Sequence, residues 1–258
     1  MIPVLVFILG ALVGSFENSV IYRLDNIESI IKARSHCPHC KAQLKPWDLI
    51  PILSFILLYG RCRYCKKEIS WQYPLVEAGT AIIFLALYTK FGLSWETVFL
   101  ALISAALIVI FVYDLKKQLI PDEILIPAAI LTILWLLANF GFGGKLNILT
   151  NQSLSSNLWG LLFGGGLFGI LVAVSKEKWM GVGDVKLGAL LGLILGSPLI
   201  LVVLFFAFIL GSASALLMLS LGKKHLTDQI PFGPYLIIAS YIAIFWGEKI
   251  IGWYLGRL

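Results

Sequence analysis

Eight times along the chain, an apolar stretch approaches the ~20 residues that an α-helix needs to cross the hydrocarbon core of a bilayer. The stretches fall near 2–22, 75–91, 97–113, 123–141, 157–174, 185–196, 198–220 and 231–250. Backbone polar groups find no water inside a bilayer, so such stretches cross as internally hydrogen-bonded helices. The sixth is short, and Gly188, Gly192 and Gly196 make it the weakest as a full crossing. The expected fold is an all-α polytopic membrane protein of about eight transmembrane helices. Composition agrees: 59% of the residues are hydrophobic and only 13% charged, where a soluble domain has roughly half and a quarter.

Charge placement orients these helices. No Lys or Arg precedes Arg23, so the N-terminus lacks the basic region of a secretory signal and reads as an uncleaved first helix. If residues 23–74 are cytoplasmic, sixteen basic residues fall inside and four outside (Lys90, Lys145, Lys249 and Arg257). That bias sets the N-terminus outside. Three parts follow: a first transmembrane helix at 1–22, a cytoplasmic insert at 23–74, and a transmembrane core at 75–258. The connector GFGGKLNILTNQSLSSN is rich in Gly, Ser and Asn and reads as a mobile outer loop. The chain shows no internal repeat and no low-complexity tract.

The insert is too small to build a large core, and domains of this size often depend on a metal or disulfides. It holds all four cysteines, Cys37, Cys40, Cys62 and Cys65, as two C-x2-C pairs separated by twenty-one residues. Two such pairs supply four thiolates to a tetrahedral structural zinc. A reducing cytoplasm disfavours the alternative of disulfides. Four cysteines close the coordination shell and leave no open catalytic position. His36 and His39 flank the first pair as solvated neighbours.

Carboxylates at the margins of apolar stretches are the remaining chemistry. Asp114 ends the third stretch in VYDLKKQLIPDE, and Asp184 opens the sixth in GVGDVKLG. Both lie at the inner face in the expected topology. Two carboxylates brought together can share a proton, one acting as base and the other as acid. The bland alternative is that Gly181 and Gly183 form a tight turn and Asp184 caps a helix. Asp122 and Glu123 read as caps of the fourth helix, entered at Pro121. Lys186 either tunes the carboxylates or snorkels to headgroups. Glu77 either orients an amine or anchors the inner end of the second helix. Pro231, Gly233 and Pro234 read as a helix start. Trp47, Trp71 and Trp179 fit an interfacial aromatic belt.

Two further features of the sequence invite other readings. Gly164, Gly166 and Gly169 form a G-x-G-x-x-G inside an apolar stretch, with no preceding strand, which rules out a dinucleotide or methyl-donor loop. Close helix packing through Gly160, Gly164 and Gly165 explains it better. An ion or proton transporter would use the same carboxylates, but the polar residues cluster at one face and draw no line across the bilayer. The basic insert suits membrane lipids or protein partners, with no nucleic acid.

Taken together, the residues resemble the type IV prepilin peptidases, which are bifunctional leader peptidases and N-methyltransferases. The resemblance covers nearly the whole chain: GSFENSVIYRL at 14–24, the two cysteine pairs, YPLVE at 73–77, DLKKQLIPD at 114–122, GVGDVK at 181–186 and PFGPYL at 231–236. It implies an aspartic membrane protease of the GxGD type with Asp114 and Asp184 as the catalytic pair. It implies a bacterial inner-membrane location and a prepilin or pseudopilin substrate, whose short basic leader is cut after glycine at the inner face. It further implies N-methylation of the new terminus with S-adenosylmethionine. Asn18, Arg23, Glu77, Gly181, Gly183, Lys186, Pro231, Gly233 and Pro234 would then border the substrate cleft. Glu17 departs from the pattern, because the family usually carries an apolar residue there, and often another at Ser19.

Overall fold

The computed structural model describes residues 1–24, 35–141, 153–178, 180–222 and 230–256, with Phe140 and Gly141 described by backbone alone. Trp179, Lys145, Lys223, Lys224, Arg257 and most of the connector after Gly141 lie outside the described residues.

Among the described residues, nine α-helices follow in order. They are α1 (Ile2–Arg23), α2 (Leu53–Leu57), α3 (Gln72–Phe91), α4 (Trp95–Lys117), α5 (Asp122–Gly141), α6 (Leu154–Ser175), α7 (Val182–Leu195), α8 (Leu199–Ser220) and α9 (Gly233–Leu255). Seven of them, all but α2 and α7, are long and apolar enough to cross a bilayer. The sixth expected crossing is α7, whose 14 residues rise only about 21 Å at 1.5 Å per residue, short of the ~30 Å hydrocarbon core.

The chain packs as two compact units, residues 1–109 and 110–258, the division falling within α4. In the first unit α1 lies against α3, through glycine. A Cβ on Gly10 would stand 2.7 Å from the Ala81 Cα, and one on Gly14 would stand 2.7 Å from the Glu77 Cα. Only a bare backbone allows that approach. Asn18, buried on α1, braces the contact. Its Nδ2 donates to the carbonyls of Gly14 and Tyr73 at 3.2 and 3.0 Å, and its Oδ1 accepts from Gln72 Nε2 at 3.2 Å.

In the second unit α6 and α7 meet backbone to backbone. A Cβ on Gly160 would collide with the Gly192 carbonyl, and a Cβ on Gly164 with that of Gly188. Gly165 meets Ala189, so the glycines expected to serve close packing do so. The contact is clasped at one end by Asn157 Nδ2, which donates to the Leu193 carbonyl at 2.8 Å. Ser156 Oγ donates to the Ser197 carbonyl beside it. Helix α8 packs on α9, and α7 also touches α5, α8 and α9.

One repeat escapes the sequence reading. Each cysteine pair sits in the same small turn. In the first, the Cys37 amide donates to the Ala42 carbonyl, Lys41 adopts φ 58°, and His36 bridges to Gln43. In the second, Cys62 donates to Lys67, Lys66 adopts φ 62°, and Arg61 bridges to Glu68.

Candidate functional site

The carboxylate site is built within the second unit. Helix α4 runs to Lys117 and stops where Gln118 turns to φ 55°. This leaves Asp114 in the last turn, 4% exposed. Pro121 cannot continue a helix at its amide, and α5 starts afresh at Asp122. Gly181 caps α7, placing Asp184 in the first turn. There the amide of Asp184 donates to the Gly181 carbonyl at 3.1 Å, and its carboxylate stands at the start of the helix. The same carboxylate also lies within electrostatic range of Asp114. The two acids are seventy residues apart in the chain.

Bare backbone surrounds them. A Cβ on Gly233 would stand 2.5 Å from Asp114 Oδ2. That oxygen is buried and has no hydrogen-bond partner among the described residues. Gly233 and Pro234 occupy the first turn of α9 behind Phe232, so the expected helix start is observed. Pro231 precedes it, half-buried.

Ile120 was not singled out by the sequence. A Cβ on Gly183 would meet Ile120 Cβ at 3.1 Å, and one on Gly233 would meet Ile120 Cδ1 at 3.5 Å. Ile120 thus fits between the two glycine-bearing motifs. Lys186 is engaged by Asp122, with Nζ donating to both carboxylate oxygens at 2.8 and 2.7 Å. Phe232 adds an aromatic cluster next to Gly233, its ring 5.7 Å from Phe168 and 5.3 Å from Phe208.

The remaining expected cleft residues lie in the first unit. Asn18 is saturated by the α1–α3 brace described above. Arg23 is buried in the last turn of α1. Glu77 Oε2 accepts the Ile52 amide at 2.7 Å, which makes it an anchor for the insert. Ile52 has φ 61°, a rare conformation for a β-branched residue, and this hydrogen bond helps to hold it. Glu17 is 2% exposed, with Oε2 2.7 Å from Thr80 Oγ1 and Oε1 unpartnered among the described residues.

The insert gathers the four cysteines. Their sulfurs lie within 4.8 Å of one another, and Cys37 Sγ is 3.9 Å from Cys65 Sγ. Four sulfurs on a tetrahedral zinc at about 2.3 Å would be about 3.8 Å apart, so the cluster fits a metal ion. Burial opposes ionisation of Cys37, but the amides of Cys40 and His39 and the thiols of Cys62 and Cys40 outweigh it and bring the group down to about 7. The Ala42 amide favours the Cys40 thiolate, but burial and the neighbouring Cys37 and Cys65 push it up to about 11. One thiolate is thus ready near neutral pH, and a cation would draw off the other protons. Asp48 secures the second turn. It accepts Arg63 Nε at 2.6 Å, the Tyr64 hydroxyl at 3.2 Å and the Lys45 amide at 3.2 Å. Burial raises the Asp48 carboxyl, and these donors outweigh it, leaving it below the ordinary carboxylate range.

Comparison with known proteins follows the same division of the chain. Residues 8–91 match the bacterial peptidase A24 N-terminal domain, and residues 100–216 match the type IV leader peptidase family. A prepilin leader peptidase/N-methyltransferase of Stutzerimonas stutzeri is 32% identical, covering 96% of this chain and 92% of its own length. Proteins of the same name from Pseudomonas aeruginosa and Bacillus subtilis are 32% and 33% identical. They cover 96% and 97% of this chain and 91% and 97% of their own lengths. No solved structure matches. With both domains present in order and relatives aligned nearly end to end, the chain belongs to the type IV leader peptidase family.

Proposed function

We propose that the protein is an aspartic endopeptidase that removes the leader of type IV prepilins or pseudopilins after glycine, at the cytoplasmic face of the inner membrane, and then N-methylates the new terminus. The observation that carries the peptidase reading is that the motifs bearing Asp114 and Asp184 meet around Ile120, with backbone left bare at Gly183 and, against the Asp114 carboxylate, at Gly233.

A water held between the carboxylates loses a proton to one of them as its oxygen attacks the scissile carbonyl carbon. The other carboxyl donates its proton to the carbonyl oxygen. Collapse of the tetrahedral species breaks the C–N bond: the amine leaves with the proton returned by the first acid, and one hydroxyl gives its proton back to the second carboxylate as the new carboxyl group forms. Gly181, Gly183 and Gly233 present no side chains, which lets an extended peptide lie close to the acids.

The four cysteines would hold a structural zinc that folds the insert and takes no part in the hydrolysis. S-adenosylmethionine would supply the methyl group. In the G-x-G-x-x-G of α6 only Gly164 packs tightly on α7, while Gly169 makes an ordinary contact with Val185 and Gly166 meets nothing within 4 Å; with no strand before it, the motif is not assigned to that donor.

Asp114→Asn and Asp184→Asn, made separately, test the reading through leader removal from a co-expressed prepilin. Each should abolish cleavage while metal content and melting temperature hold. Normal cleavage in either variant would rule out the paired acids.

A further inference from the structure

The short helix α2 carries its apolar residues where soluble protein would not. Leu53, Ile56 and Leu57 are spaced i, i+3, i+4 and so share one helix face, and each is about half exposed or more. Tyr59 and Trp71 beside it are 90% and 70% exposed. Phe55 takes the opposite role, turned toward Gly60 and ringed at 5.0 Å by Trp71.

Two independent observations say what covers this face. The first is depth. Trp71 immediately precedes α3, a membrane-crossing helix. The Ile52 amide, one residue before α2, is bonded to Glu77, the sixth residue of α3. At 1.5 Å per residue Glu77 lies about 7–8 Å along that helix. The start of α2 therefore sits beside the opening turns of a crossing, not beyond its end. The second is backbone chemistry. The amides of Ser54, Ile56, Leu58, Tyr59, Gly60 and Arg61 all donate to carbonyls within the insert. A segment can enter an apolar phase only with its backbone satisfied in this way.

Charge selects among possible occupants. Lys45, Arg61, Lys66 and Lys67 are exposed around the segment. They repel a basic leader peptide and a second copy of themselves, and they attract anionic headgroups.

We propose that α2 is an interfacial anchor. Leu53, Ile56 and Leu57 bury among the acyl chains of the leaflet where α1 ends and α3 begins, with Trp71 and Tyr59 at headgroup level. The four basic side chains contact anionic lipid. This holds whichever leaflet that is, and independently of the proposed activity, needing only that α1 and α3 cross a bilayer.

The test uses the full-length, metal-loaded protein in vesicles of phosphatidylcholine and phosphatidylglycerol, with and without a reconstituted prepilin. A benzophenone amino acid replaces Leu57 or Ile56, or Leu75, an exposed position on α3, as the lipid-facing standard. After illumination, peptide masses should show lipid adducts at 56 and 57 in yields comparable to position 75. Lipid adducts at 75 with none at 56 and 57, or adducts there to prepilin or to a second copy, overturn the proposal. Omitting phosphatidylglycerol should lower the yield at 57 several-fold and leave 75 unchanged; an equal loss at both positions, or none, overturns its electrostatic part.

Discussion

Lys186 holds both carboxylate oxygens of Asp122, so the segment that follows Asp114 is tied to the segment that carries Asp184. Both partners are close to half exposed, and such pairs contribute about 0.2–1 kcal/mol. Lys186→Met and Asp122→Asn should each lower the melting temperature slightly. The double variant should lose no more than the worse single one, and a double-mutant cycle on melting temperature reads the coupling.

Gly233 leaves no room for a side chain beside Asp114. Gly233→Ala should displace the Asp114 carboxylate and lower kcat for leader cleavage by ~100-fold, the scale of a misplacement of about 1 Å. Stability should change little, because alanine is a good residue for a helix's first turn. Cleavage kinetics alongside a thermal melt separate the two effects.

Removal of metal should unfold the insert. Elemental analysis should find one zinc per chain, lost in Cys37→Ser and Cys62→Ser, whose sulfurs are the buried pair. Limited proteolysis should then cut near Lys41 and Lys66. Asp184→Asn should retain the metal.

The Asp48–Arg63 contact gives the insert a pH signature. Its carboxyl is held below the ordinary range, so its stabilisation is fully present above the unfolded value of about 4. That stabilisation is lost as pH falls through the folded value. Asp48→Asn should cost about 1 kcal/mol at pH 7, a figure kept small by solvent at Arg63. The difference from the parent protein should vanish in acid, as followed by thermal release of metal.

Glu17 carries a buried oxygen without a partner among the described residues, and a group left so costs about 1–3 kcal/mol. Glu17→Leu should therefore raise the melting temperature, while Thr80 Oγ1 keeps the Val76 carbonyl 2.9 Å away as its acceptor. Glu17→Gln should give no such gain.

Much of this was legible in the residues. Apolar length marks the crossings because the bilayer imposes one scale on all of them. Cysteine spacing marks the metal cluster because two short turns must each present two sulfurs. Charges at the ends of apolar runs draw attention to Asp114 and Asp184. Ile120 was invisible because its role depends on two absent side chains, at Gly183 and Gly233, in distant parts of the chain. The Lys186–Asp122 pair was missed for a similar reason: each residue had a sufficient local explanation, as a snorkelling cation and as a helix cap. Glu17 stands out in the sequence only as a departure from the family pattern, because helical spacing alone does not show that Thr80 faces it from α3.

The glycine seam between α6 and α7 has a mechanical corollary. Where two backbones touch directly, there is no layer of side chains to compress or reshuffle, so neither helix can slide or tilt without the other. Asp184 rides on that stiff double strut. For the proposed cleavage, the give required to admit and release a polypeptide would come from the other side, where α4 ends and its chain reverses through Gln118.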